Sequence, residues 1–220
     1  MGLKMINEMQ NLPALIVDNF FDNVDNIRLH ALAQRTYEPC DFYTPGIYSG
    51  YRSPINSEDI TRNIHVKIEG ILSRKILDLR LSFHLNTNSS VCGCPHQDST
   101  NHDAHASGFA GVIYLTPYAP KNSGTTIYRK TNVLINEPEN YMDKMQIVYD
   151  IALPPTNMFK QKFAQEMRDY KNTLEIVQQS DHIYNRMILY PSVIYHSPDE
   201  YFGTNLDNGR LTISIHGTFE

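Results

Sequence analysis

Between Leu77 and Leu85 every second residue is apolar: Leu77, Leu79, Leu81, Phe83 and Leu85 alternate with Asp78, Arg80, Ser82 and His84. Side chains along a strand point to opposite faces with a period of two, so this run predicts a β-strand with one buried face. The apolar run 109–116 and the stretch 125–129 read as two more strands, joined through a Pro/Asn/Gly turn at 117–124, and their order suggests a hairpin-like pair. Residues 14–17, 174–177, 186–190, 193–196 and 211–215 supply the remaining strands.

Helical periodicity appears in other places. Acidic residues at 22–25 open a helix through Ile27, Leu29, Leu32 and Ala33. Asn56 and Ser57 start a second, whose Ile60, Ile64, Ile68, Ile71 and Leu72 make one stripe fit to pack on a sheet. Residues 139–150 and 157–170 also look helical, with Pro154-Pro155 between them. The stretch 37–54, rich in Pro, Gly, Tyr and Ser, reads as a loop. Helices come first, then strands with a helical interruption. No βαβ alternation and no Gly-rich phosphate loop is found. This order predicts a mainly β, antiparallel double-sheet fold with flanking helices. We expect one domain over 1–220, with N-terminal helices (about 22–72) buttressing the sheet and a helical insertion at about 138–172.

The chain carries a net charge of -5 and no basic tract, so nucleic-acid binding has no electrostatic support. No apolar run approaches the roughly 18 residues of a membrane span. Three cysteines are too few for a disulfide framework, and the first residues are polar, without a secretory leader. The expected setting is cytoplasmic and reducing. The expected partner is a small-molecule or peptide substrate, with no nucleic acid and no membrane.

The chemistry-bearing stretch is Cys94-Pro-His96-Gln-Asp98. In extended backbone, residues i and i+2 point the same way, so His96 and Asp98 can face one ion. A third ligand must come from a distant segment, and His196, ending a strand, is the candidate. Two imidazoles and a carboxylate on one face of an octahedron suit a non-haem ferrous site with three open positions. With nine His in the chain, a His-x-acid pair arises about once by chance, so alone the pair also fits an ordinary surface loop.

The context adds order. After His96-x-Asp98 come the Gly-Val-Ile-Tyr-Leu strand, a Ser-Gly-Thr turn at 123–125, Asn185-Arg-Met-Ile-Leu-Tyr, the His196 strand and Arg210-x-Thr212. In this order the chain resembles the Fe(II)/2-oxoglutarate-dependent dioxygenases, in particular the small prolyl-hydroxylase-like members of bacteria and phages. The likeness covers roughly 80–130 and 174–219. It implies a double-stranded β-helix, a cupin-like jelly roll with the metal at its open end. It implies His96, Asp98 and His196 as iron ligands, Arg210 as partner of the far carboxylate of 2-oxoglutarate, and Tyr114 and Thr212 as further contacts to that cosubstrate. Fe(II), 2-oxoglutarate and O2 would then hydroxylate an unidentified substrate, a prolyl residue or an amino-acid-like molecule, with succinate and CO2 as coproducts. The chain departs from the pattern in two places. Arg210 follows His196 by fourteen positions, so 202–209 must loop out. His84 or Asn86 stands where a tyrosine often precedes the first ligand.

On the substrate side, Tyr43, Tyr48, Tyr51 and Arg52 lie in the Pro/Gly loop, and Arg129 follows a core strand; Arg52, Tyr48 and Arg129 are the candidates, and ordinary surface roles fit each as well. Two other readings stay open. Cys92, Cys94, His102 and His105 could form a structural zinc site, since thiolates favour zinc, though Cys-x-Cys is less usual than Cys-x-x-Cys. A non-catalytic jelly-roll binding module would keep the shape alone.

Overall fold

In the computed structural model, which describes residues 13–40, 50–90, 93, 95–98, 108–129, 165 and 168–220, the alternating run forms a strand over Ile76–Asn86. In chain order the elements are β1 (Leu15–Val17), α1 (Val24–Leu32), β2 (Glu38–Pro39), β3 (Tyr51–Pro54), α2 (Glu58–Leu72), β4 (Ile76–Asn86), β5 (Gly108–Tyr114), β6 (Thr125–Arg129), β7 (Glu175–Ser180), β8 (Met187–Pro191), β9 (Tyr195–Pro198) and β10 (Arg210–Phe219). Among the described residues the strands form two sheets. The larger runs β1-β8-β5-β10-β4-β3-β2 and the smaller runs β7-β6-β9. The pairings within both sheets are antiparallel. This is the antiparallel double-sheet fold that the strand pattern predicts, in the double-stranded β-helix, or jelly-roll, form that the resemblance implies.

The larger sheet has two buried faces. Its outer face meets the helices. Ser57 caps α2 by accepting from the Ile60 N–H, and Glu58 and Asp59 sit in the first turn, where acidic residues favour the helix dipole. Ile60, Ile64, Ile68 and Leu72 are all buried. They share one cluster with Phe83 and Leu85 of β4, Ile113 of β5 and Leu211, Ile213 and Ile215 of β10. Burying each such side chain contributes about 1.5–3 kcal/mol, so this layer carries much of the fold's stability. Helix α1 is capped by Asn23 and adds Ala31, Val24, Ile27 and Leu32 to the same cluster, while Leu29 turns outward.

Among the polar ties that hold the N-terminal segment to the sheet, Asn185 makes two. Asn185 accepts from the Phe21 N–H at 2.8 Å and donates to the Phe21 carbonyl at 2.8 Å. Its φ of 66° lies in the left-handed region, which Asn tolerates better than most residues.

The inner face meets the smaller sheet. Ala110, Tyr114, Ile127, Ile188 and Tyr190 form an apolar cluster between the sheets, and Tyr190 reaches the cavity. Beside this cluster the inner face turns polar, and a cavity opens.

Several expectations need correction. The stretches 108–114 and 125–129 are not a hairpin: β5 pairs with β10 and β8, whereas β6 pairs with β7 and β9. The turn between them carries the chain from one sheet to the other, as wrapping a jelly roll requires. The stretch read as a loop over 37–54 contains β2 and β3, and β3 pairs with β4 from Leu85 to Ser82. Its proline is the last residue of the strand, where a missing N–H does little harm. Strand β4 does not keep one polar face throughout. From Phe83 to Asn86 both faces are buried, because His84 and Asn86 point into the cavity. At its other end Leu77 is exposed. The helix expected at 139–150 and most of that at 157–170 lie outside the described residues; residues 165 and 168–171 are helical. Among the described residues no helix is long and apolar enough to cross a membrane.

Candidate metal centre

Residues 95–98 approach β9 and the turn before it. His96 donates its N–H to the His196 carbonyl at 2.9 Å and accepts from the His196 N–H at 3.0 Å. This isolated antiparallel bridge sets the two residues directly opposite each other. Opposed residues carry their side chains on one face, and the two rings lie 4.4 Å apart. Two positions on, the Asp98 N–H donates to the Ser192 carbonyl at 2.9 Å. Between them Gln97 points the other way and bonds the Val193 carbonyl. Alternation along extended backbone thus aims His96 and Asp98 together. The loop can lie this close because residue 93 is glycine: a Cβ there would sit 2.2 Å from Pro198 Cγ.

The ligand atoms of His96, Asp98 and His196 all lie within 4.8 Å of one another. Asp98 Oδ1 is 3.6 Å from His96 Nε2, and Oδ2 is 3.4 Å from His196 Nε2. His196 Nδ1 sits 3.0 Å from the Ile194 carbonyl. That contact favours the proton on Nδ1 and leaves the Nε2 lone pair on the carboxylate side, available to a cation between them.

The protonation states suit a cation. Burial pushes His196 down to about 4, so its imidazole is neutral near pH 7. Burial alone would raise Asp98, but the surrounding imidazoles, His196 first, outweigh it and hold the carboxyl well below the usual range. The neutral His196 imidazole beside an ionised Asp98 carboxylate supplies the kind of donors a divalent ion needs.

The cavity holds about 500 Å³ of space, open solvent included. Arg210 reaches it from the start of β10 and is 3% exposed. Its Nε donates to the Ser123 carbonyl at 3.0 Å and its Nη2 to the Gly124 carbonyl at 3.2 Å. The guanidinium also lies 5.6 Å from the Tyr114 ring centroid. These contacts fix the fork in one orientation beside the ligand cluster. The fourteen-residue interval from His196 is taken up by turns at 204–208, where Asn208 Oδ1 accepts from the Thr204 and Asn205 N–H groups. Gly203 enters them at φ 74°, a conformation that favours glycine.

Not every candidate reaches the cavity. Tyr114 is wholly buried, and its hydroxyl donates to Thr125 Oγ1 at 2.8 Å; Thr125, not Tyr114, lines the wall. Thr212 is buried with its hydroxyl 3.5 Å from the His84 carbonyl. Arg52 lines the cavity opposite His84, its cross-strand neighbour. Arg129 does not: it lies on the exposed side of β6, paired with Glu175 at 3.2 Å. Tyr43 and Tyr48 lie outside the described residues, as do Cys92, Cys94, His102 and His105.

Sequence reasoning missed His216. Its Nε2 stands 3.4 Å from Asp98 Oδ1, and it lines the cavity. The signal was available. Arg210, Thr212, Ser214 and His216 are every second residue of β10, so they share a face. Ending that strand at 215 hides its last cavity-facing member. Tyr190, whose ring lies 4.4 Å from that of His196, and Tyr201 also line the site.

The model of a family of unknown function, DUF6445, matches residues 3–216, and the chain belongs to that family. A search of curated proteins finds no match. Among solved structures the chain is similar to a prolyl hydroxylase from Trichoplax adhaerens in complex with a hypoxia-inducible-factor peptide fragment. The identity is 12% and the TM-score 0.60, over 97% of this chain and 86% of that one. A prolyl-4-hydroxylase from Pseudomonas putida matches at 12% identity and a TM-score of 0.54, over 100% and 98%. HygX from Streptomyces hygroscopicus, solved with nickel and 2-oxoglutarate bound, matches at 10% and 0.58, over 99% and 87%. At these identities the likeness is one of fold.

Proposed function

We propose that this DUF6445 protein is a non-haem Fe(II)- and 2-oxoglutarate-dependent dioxygenase that hydroxylates a small molecule or a peptide side chain. One observation carries the reading: two imidazoles and a carboxylate, from segments a hundred residues apart, bring their ligand atoms within 4.8 Å at the open end of a jelly roll. The likeness in fold to a protein solved with 2-oxoglutarate bound supports it.

The residues fit the group. His96, His196 and Asp98 would hold Fe(II) and leave three positions open. Bound iron with 2-oxoglutarate supplies the oxidising power that turns a C–H into C–OH, with one O2 consumed and succinate and CO2 released. The chain's own residues do the rest. Arg210 offers a fixed guanidinium to the distal carboxylate of the cosubstrate, a charge-assisted pairing that suits its planar fork. Tyr114 acts behind the wall: its hydroxyl orients Thr125 beside Arg210, while Thr212 steadies the strand. Arg52, on the far side of the cavity, is the substrate-side cation. Tyr190 shields the His196 ring from water.

Titration with Fe(II) and 2-oxoglutarate without oxygen tests this. We expect a weak visible charge-transfer band, and on exposure to air a slow release of succinate. Asp98→Ala or His196→Ala abolishes both. A wild-type protein that binds the two without releasing succinate, or binds neither, refutes the enzyme and leaves a jelly-roll binding module.

A further inference from the structure

We propose that His216 is a positioning residue for Asp98: its imidazole N–H holds one carboxylate oxygen and so keeps Asp98 to a single bond with the metal. The inference rests on the reading of the site as a metal centre. His216 touches the carboxylate but stands outside the cluster of converging ligand atoms. It acts through Asp98 and not as a fourth ligand.

The two Asp98 oxygens have different surroundings. Oδ2 faces His196 Nε2 at 3.4 Å. Oδ1 faces His96 Nε2 at 3.6 Å and His216 Nε2 at 3.4 Å. With an ion on the lone pairs of His96 and His196, the His216 contact to Oδ1 would remain on the carboxylate. The support beneath it is firm. Residue 216 pairs with Arg80 of β4 on one side and with Ala110 of β5 on the other, so its Cα is fixed by strands that contribute no ligand.

The consequence concerns coordination number. A carboxylate without an outer partner can swing to bind through both oxygens. It would then occupy two of six positions, and with two imidazoles only two would remain. A chelating cosubstrate and dioxygen need three. A donor on the second oxygen prevents the swing. Outer partners of this kind typically change metal affinity by about 10–100-fold.

Mn(II), stable in air, is the probe, with free ion counted by electron paramagnetic resonance on the full chain. His216→Phe keeps a ring of similar size but removes the donor; His216→Gln restores an N–H of similar reach. We expect His216→Phe to weaken Mn(II) binding about 10–100-fold, His216→Gln to recover most of that loss, and both to melt within a few degrees of the wild type. Addition of 2-oxoglutarate tightens Mn(II) in the wild type and in His216→Gln but much less in His216→Phe. If His216→Phe binds Mn(II) as the wild type does, or His216→Gln is no better than His216→Phe, the positioning role is wrong. If the wild type takes up no Mn(II), the metal centre itself is refuted and the inference falls with it.

Discussion

The two faces of β10 are equally dry and chemically opposite. Leu211, Ile213 and Ile215 turn toward the helices and are fully buried. Arg210, Thr212 and Ser214 turn toward the smaller sheet and are buried too, at 3%, 0% and 4% exposure. Burying an apolar side chain drives folding. Burying a polar one costs free energy unless each group finds a partner. The helix-side face therefore explains why the chain folds. The cavity-side face is a cost that folding alone would not select, and its partners are arranged around an opening.

The comparison breaks most sharply with two adjacent substitutions. Ile213→Ala removes a fully buried side chain from the helix-side layer, and a loss of about 2–5 kcal/mol is expected in denaturant unfolding. Mn(II) affinity of the folded fraction stays near the wild-type value. Ser214→Ala, one residue on and facing the cavity, changes stability by less than about 1 kcal/mol. If the two losses are equal, the division between the faces is wrong.

Acid sharpens the contrast next. Burial, then the nearby Arg210 charge, pushes His182 down to about 3. Its ring stacks on Tyr114 at 4.4 Å. The native state keeps it neutral, while the unfolded chain takes up a proton below about 6.5. The unfolded state thus binds more protons between those values, and the stability this group contributes falls as pH falls. About 2 kcal/mol is lost by pH 5. His182→Phe removes that part of the slope in urea melts at pH 7 and pH 5. An unchanged slope would show that the residue is not held neutral.

The smallest effect is expected at the surface. Arg129→Ala breaks an exposed pair with Glu175 and costs less than about 1 kcal/mol. The Michaelis constant for 2-oxoglutarate is unchanged. A several-fold rise would place Arg129 in the binding machinery.

The sequence states the helix-side layer openly, because period two along β4 and a spacing of three and four along α2 follow directly from which side is dry. Those patterns give β4, α2 and the double-sheet class. They fail where two sides are buried for different reasons: His84 and Asn86 look like the polar half of an alternation, yet they point into the cavity. Sheet membership is equally hidden. Nothing local to 125–129 says that it leaves its predecessor and joins β7 and β9, since that choice is made by contacts distant along the chain. Of the site, His96 and Asp98 stand out by spacing, His196 as a strand-borne third ligand and Arg210 through the resemblance, and the structure brings the three proposed ligands together. His216 stands behind a strand boundary, which is the least certain part of any reading from pattern.

The paired hydrogen bonds between His96 and His196 have a thermodynamic meaning for the proposed metal centre. Closing a loop of a hundred residues costs about 4 kcal/mol of chain entropy, by the logarithmic scaling of flexible loops. Here the two backbone hydrogen bonds between His96 and His196 help offset that cost. A cation taken up at the proposed centre would meet imidazoles that the backbone already holds opposite each other.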